Sequence, residues 1–181
     1  MKKLLVLGFI ATLAGCADSH NLNVSNTEVV NKIPASSSVY VALSEDGRYG
    51  EKDYKGSGVL LSNVIKSGLL TKMNDITLAN EAGSFKESIK LAESNGSDYL
   101  FYPTIMHWED RATEWSAKAD KVDKVEVKIV TWGIKNNVEL SSAIIDGSSG
   151  LATLGGDHPQ DLLPEPVNAY IDTLFAVPVQ N

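Results

Sequence analysis

A single cysteine, three histidines, sixteen basic residues and no apolar run long enough to span a bilayer set the first limits on this 181-residue chain. With Cys16 alone, no intramolecular disulfide can form, and neither a cysteine metal cluster nor a paired redox site can be built. The fold must therefore hold by burial. Basic residues number 16 against 23 acidic ones, for a net charge of −7. That balance argues against nucleic acid, whose binding rests on Lys and Arg contacts to phosphate, and it supplies no basic surplus for anionic lipid. Its plain meaning is solubility. The longest apolar run, residues 4–12, covers about half of the ~20 residues that a membrane-spanning helix needs.

What is present begins at the N-terminus. Lys2 and Lys3 give a positive start, the short apolar run follows, and small residues lead to a cleavage site. These are the three parts of an export signal. The stretch Leu13-Ala14-Gly15-Cys16 resembles the lipobox of bacterial lipoproteins. The resemblance implies a diacylglyceryl group on the Cys16 sulfur, cleavage before Cys16, and acylation of the new amine. Two or more acyl chains, at about 0.8 kcal/mol per buried methylene, hold a protein firmly to a bilayer. In that family Asp directly after the Cys retains the protein at the inner membrane; here the position is Ala17. The expected location is the outer membrane, periplasmic face, with the inner membrane, periplasmic face, as the alternative. Loss of Lys2 and Lys3 with the signal takes the net charge from −7 to −9.

Residues 1–15 thus read as signal peptide, 16–37 as lipidated Cys and polar tether, and 38–181 as one domain. From Ser38 strand and helix patterns alternate. Val39-Tyr40-Val41-Ala42-Leu43 is nearly all apolar, as in a strand buried on both faces. Ser57 is placed to cap a helix through Lys66, stopped by Gly68. Asp75 to Ala79 predicts a second strand, and Ser84-Phe85-Lys86-Glu87 a capping box at the start of a second helix. Tyr99 to Tyr102 predicts a third strand running on towards Trp108. Two helical crossovers between three such strands make parallel, right-handed connections. Then Val125, Val127, Ile129 and Thr131 alternate with Glu126, Lys128 and Val130, a half-buried strand. Residues 135–137 turn it back as an antiparallel hairpin, and Val167, Tyr170, Ile171 and Leu174 stripe a last helix. The fold class is α/β (α+β): a single domain, its mixed sheet of about five strands having a parallel half and an antiparallel hairpin, with about three helices.

Residues 102–116, YPTIMHWEDRATEWS, resemble the signature of an uncharacterised family of proteobacterial lipoproteins, a domain of unknown function. Residues 45–50, EDGRYG, and 155–163, GGDHPQDLL, fit the same family. The resemblance spans nearly all of the chain beyond the signal and implies no established activity. In element order alone the domain is similar to the N-terminal domain of TolB and to the periplasmic part of the curli secretion protein CsgG. That implies work by protein–protein contact, but a shared fold carries no site residues across.

Three places offer chemistry. His107, Trp108, Glu109, Asp110, Arg111, Glu114 and Trp115 form a polar and aromatic cluster suited to an interaction surface, since Trp and Arg are frequent interface anchors. The plainer reading is a strand end where Arg111 pairs with carboxylates and the two Trp cover the sheet edge. Glu109 and Asp110 make a poor acid–base pair, because neighbours on a strand point to opposite faces. The loop of residues 45–58, with Arg48, Tyr49, Lys55 and Ser57, follows the first predicted strand, where open α/β sheets tend to bind ligands. It lacks the dinucleotide and Walker spacings, and a capped helix after a loop is the simpler account. Residues 147–158 are glycine-rich and end on Asp157 and His158, placed to cap the last helix. Asp157 and His158 with His107 are too sparse a set to predict a metal, and Gly147-Ser148-Ser149-Gly150 does not supply a serine-hydrolase elbow.

No catalytic motif, metal or cofactor is expected. The sequence points to a membrane-anchored periplasmic lipoprotein acting as a protein-interaction or accessory module of the cell envelope. Its expected partners are the membrane, through the N-terminal lipid, and an envelope protein or a second copy of itself. The alternative is a small-ligand-binding domain or minor enzyme using the loops 45–58 and 147–158.

Overall fold

A computed structural model describes residues 18–26, 32–111, 122–149 and 158–175. Eight strands and three helices run in the order β1 (Ser19–Asn26), β2 (Val39–Leu43), β3 (Gly47–Tyr49), β4 (Lys52–Tyr54), α1 (Ser57–Leu69), β5 (Ile76–Ala82), α2 (Phe85–Ser94), β6 (Tyr99–Glu109), β7 (Lys124–Gly133), β8 (Val138–Ser148) and α3 (Pro164–Leu174). A short 3-10 turn, Pro159–Leu162, precedes α3. Six strands form one mixed sheet in the order β1-β8-β7-β6-β2-β5, and β3-β4 form a separate hairpin. The α/β reading holds: β5, β2 and β6 are parallel, while β6, β7, β8 and β1 are antiparallel.

The two halves bury their residues differently, and the sequence dictates how. Four of the five residues of β2 are buried, because the parallel half is covered on both faces. On one face Val39, Val41 and Phe101 join Val125, Val127, Ile129 and Ile145 beneath α1 and α3. On the other, Tyr40, Ala42 and Leu100 pack with Ala92 of α2, backed by Phe85 and Ile89. In β7 the buried positions fall on alternate residues, as the period-two pattern predicts. The expected stripe of α3 is buried throughout: Val167, Tyr170, Ile171 and Leu174.

Three local features differ from expectation. The polar stretch read as part of a tether supplies an edge strand. β1 pairs with β8 from Ser19↔Ser148 to Asn26↔Ser141, and Leu22 and Val24 pack on the core. Ser57 does not cap α1. Its hydroxyl donates to the Tyr54 carbonyl (2.6 Å) and accepts from the Gly47 N–H (2.7 Å), while Asp46 takes the N–H groups of Gly56 (3.0 Å) and Gly58 (2.9 Å). Gly68 is no stop either. The helix runs on to Leu69, and a Cβ at Gly68 would lie 2.6 Å from side-chain atoms of both Asn168 and Ile171 of α3. The glycine sets how closely the two helices approach.

The second helix starts as predicted. Ser84 Oγ accepts from the Glu87 N–H (3.3 Å), and the Glu87 carboxylate accepts from the Ser84 N–H (2.9 Å) and hydroxyl (2.7 Å). These bonds hold the Glu87 pKa below its ordinary value. A depressed carboxylate contributes stability above its unfolded pKa, about 4.3, and loses it as pH falls through the folded value. Loss of the Ser84 cap in Ser84→Ala is expected to cost about 1 kcal/mol near neutral pH. Urea titrations at a series of pH values should show the loss shrinking on acidification.

Candidate functional site

The candidate site is built on the last three residues of β6 and the segment that leaves it. A register shift between Ile105 and His107 breaks the β6–β7 pairing. Beyond it, Trp108 faces the core at 2% exposure, opposite Val125. His107 and Glu109 share the other face, as residues two apart on a strand must. His107 Nε2 lies 3.1 Å from Glu109 Oε2, and the Arg111 guanidinium pairs with the other oxygen. The Glu109 side chain is 4% exposed. A carboxylate this deeply buried needs partners, and His107 and Arg111 supply them.

The β3–β4 hairpin closes over this strand end. Arg111 Nη2 donates to Tyr49 Oη (3.3 Å), and its guanidinium stands 5.7 Å from the Tyr49 ring centre. Tyr49 also meets the His107 ring edge-on, with 5.0 Å between centroids. Burial works against the Arg111 charge, but Glu109 and Tyr49 outweigh it and keep its pKa above the ordinary arginine value. One residue along, the Asp110 N–H donates to Tyr54 Oη (3.3 Å) while Asp110 Oδ2 faces His158 Nδ1 (3.3 Å). Asp110 Oδ1 is enclosed and has no hydrogen-bond partner among the described residues. The Arg111 N–H donates to Asp123 Oδ1 (2.6 Å), and Asp123 in turn bonds Ser149 through two contacts between the start of β7 and the end of β8.

The structure thus joins groups that the sequence placed in separate candidates. His107, Glu109, Asp110, Arg111, Tyr49 and His158 meet at one end of the sheet. Arg48 and Lys55 stay apart from them: Arg48 pairs with Asp53 (3.4 Å) and both are exposed. Ser57 is buried as a hairpin fastener. Cys16, Glu114, Trp115 and Asp157 lie outside the described residues. Trp108 is a correction. As a core residue it is no surface anchor, and the part-exposed polar members of the cluster are His107, Asp110 and Arg111. Tyr54 and Asp123 were not foreseen, since each acts through a contact distant in sequence. The two histidines go to different carboxylates, so they do not converge. Among the described residues no group of three or more His, Cys, Asp or Glu is spaced to hold a metal ion.

Among the described residues, two of the clefts are shallow and open to solvent. One, of about 350 Å³, lies beside His107, Lys124, Glu126 and Asp146. The other, of about 390 Å³, lies between α1 and α3 beside Leu60, Val64, Thr71 and Asn168. Neither is lined by Arg48, Lys55 or His158.

The model of a domain of unknown function, DUF4823, matches residues 31–174. The chain belongs to the DUF4823 family. Within this DUF4823 chain, residues 45–50 and the described end of the 102–116 stretch meet at one end of the sheet, through Tyr49 with His107 and Arg111. No curated protein matches its sequence. Among solved structures it is similar to the PelC dodecamer from Paraburkholderia phytofirmans, with a TM-score of 0.66 and 12% identity over 88% of this chain and 99% of that one. It is also similar to the hypothetical protein CT253 from Chlamydia trachomatis, with a TM-score of 0.52 and 16% identity over 77% of this chain and 98% of that one. At such identities the likeness is one of fold. Among the described residues no helix is long and apolar enough to cross a membrane.

Proposed function

We propose that this DUF4823 protein is a membrane-anchored accessory module of the cell envelope, held by lipid on Cys16 and working through contact with protein, including copies of itself. The observation that carries the second half is the shared body: 88% of the chain superposes on a protein solved as a dodecamer. The first half rests on the signal-like start and the Leu13-Ala14-Gly15-Cys16 stretch. Ala17 after the cysteine favours the periplasmic face of the outer membrane over that of the inner one.

The polar cluster is better suited to fastening the strand end than to chemistry. Glu109 is paired with His107 and Arg111, and Asp110 faces His158, so both carboxylates are occupied in that role. The small-ligand alternative needed Arg48, Lys55 and His158 to converge. Arg48 is turned to Asp53 and His158 to Asp110.

The test is the association state of the lipidated chain in mild detergent, by sedimentation, together with short-arm crosslinking in living cells. A discrete oligomer, or one defined crosslinked partner, is expected. A monomer at every concentration with no discrete adduct in cells would contradict the reading.

A further inference from the structure

We infer that the end of the sheet carrying Ser19, Ser148, Lys124 and Glu109 faces the bilayer, so that the β3–β4 hairpin with Tyr49 rests against the lipid headgroups. This rests on the proposal that Cys16 bears the lipid, and adds to it an orientation.

Three residue steps separate Cys16 from Ser19, the first residue of β1, and a chain spans at most ~3.6 Å per residue, or about 11 Å here. Ser19 therefore stays within about 11 Å of an acylated Cys16 whatever path lies between. Register then extends the constraint across the sheet. Ser19 pairs with Ser148, Ser148 with Lys124, and Lys124 with Glu109. Neighbouring strands are ~4.8 Å apart, so this row is about 14 Å wide. Because β1 runs from Ser19 towards Asn26, the body extends away from the anchor. The opposite end, with the turn at residues 134–137, is about 30 Å from Lys124 by the rise of β7.

Surface chemistry at the near end agrees. Tyr49, 41% exposed, is the one aromatic among the exposed large hydrophobic side chains of the described residues. Arg48 and Lys52 flank it on the hairpin, and both are exposed. Tyrosine rings and long basic side chains suit the headgroup layer, where an apolar body and a polar tip are both accommodated. The hairpin is tied to the strand end through Arg111–Tyr49 and Asp110–Tyr54. Several acids at this end are already engaged: Asp53 with Arg48, Glu109 with Arg111 and His107, Asp110 with His158, and Asp46 at the start of α1. The tether, not net charge, imposes the approach. Protein contacts are then left to the flanks of the domain.

The test uses the full lipidated protein in vesicles of phosphatidylethanolamine and phosphatidylglycerol carrying a headgroup-linked acceptor dye. Cys16 is the only cysteine, so once its sulfur is alkylated, Lys124→Cys or Asn136→Cys supplies a single free thiol for a donor dye. Both positions are exposed, which limits the effect on folding. Energy transfer from position 124 is expected to exceed that from 136 severalfold. Equal transfer, or the reverse order, from protein that floats with the vesicles would overturn the orientation while leaving the anchor in place. Protein that does not float with the vesicles would overturn both.

Discussion

Replacing Trp108 by alanine is expected to cost about 3–5 kcal/mol of folding stability, the range for removing a large aromatic from a core. Trp108 is 2% exposed and belongs to the main core cluster. Its surroundings cannot easily collapse into the space. Val125 lies opposite on β7, and the Gly47 backbone lies so close that a Cβ there would be 2.5 Å from Trp108 Cβ. A domain of this size has a total stability of roughly 5–15 kcal/mol, so the variant stands near the edge of folding. Urea unfolding should show a much lower midpoint with the slope retained. A loss below about 1 kcal/mol, the usual range for a surface change, would show that the side chain is not in the core.

The second large effect is expected from a smaller change. At Gly58, in the first turn of α1, an added Cβ would lie 2.0 Å from the Ser44 carbonyl oxygen and 3.0 Å from that of Glu45. Both are backbone atoms, so no rotamer change relieves the clash; the helix must move off the strand. Ser62 opposes that movement by donating to the Ala42 carbonyl (3.1 Å) and accepting from the Ser44 N–H (3.3 Å). Overpacking costs typically 1–3 kcal/mol, and Gly58→Ala is expected at or above the top of that range. Gly83→Ala is the control. Its Cβ would meet only Glu87 side-chain atoms, at 3.6 Å and beyond, and little change in the urea midpoint is expected. If both variants unfold alike, the close passage of α1 over β2 is wrong.

The fold was legible wherever local pattern and tertiary role agree. The apolar run of β2, the alternation in β7 and the Ser84–Glu87 box each state their own answer within a few residues. β1 was not legible. Asparagine is depleted in strands, and the only apolar residues that alternate inward are Leu22 and Val24; what makes this segment a strand is the open edge of β8. The start of α1 was misread for a related reason. Its cap is Asp46, ten residues before Gly56, and no local spacing announces a cap supplied by a loop. At the candidate site the sequence showed which residues are unusual but not which way they face. Trp108 looked like a surface anchor because it sits among five charged or polar neighbours; the strand pleat turns it inward and leaves His107 and Glu109 to meet on the other side. That Tyr49, Tyr54 and His158 close over the same strand end follows from two separate segments converging, the β3–β4 hairpin and the residue before the 3-10 turn, which only the fold specifies.

Attachment to the membrane depends on position 16. Cells grown with labelled palmitate should yield this protein labelled and in the membrane pellet. Cys16→Ser should carry no label and leave the pellet, with its fold intact, since Cys16 lies before the first described strand, which starts at Ser19. Unlabelled wild-type protein that partitions like the serine variant would contradict the account at its root.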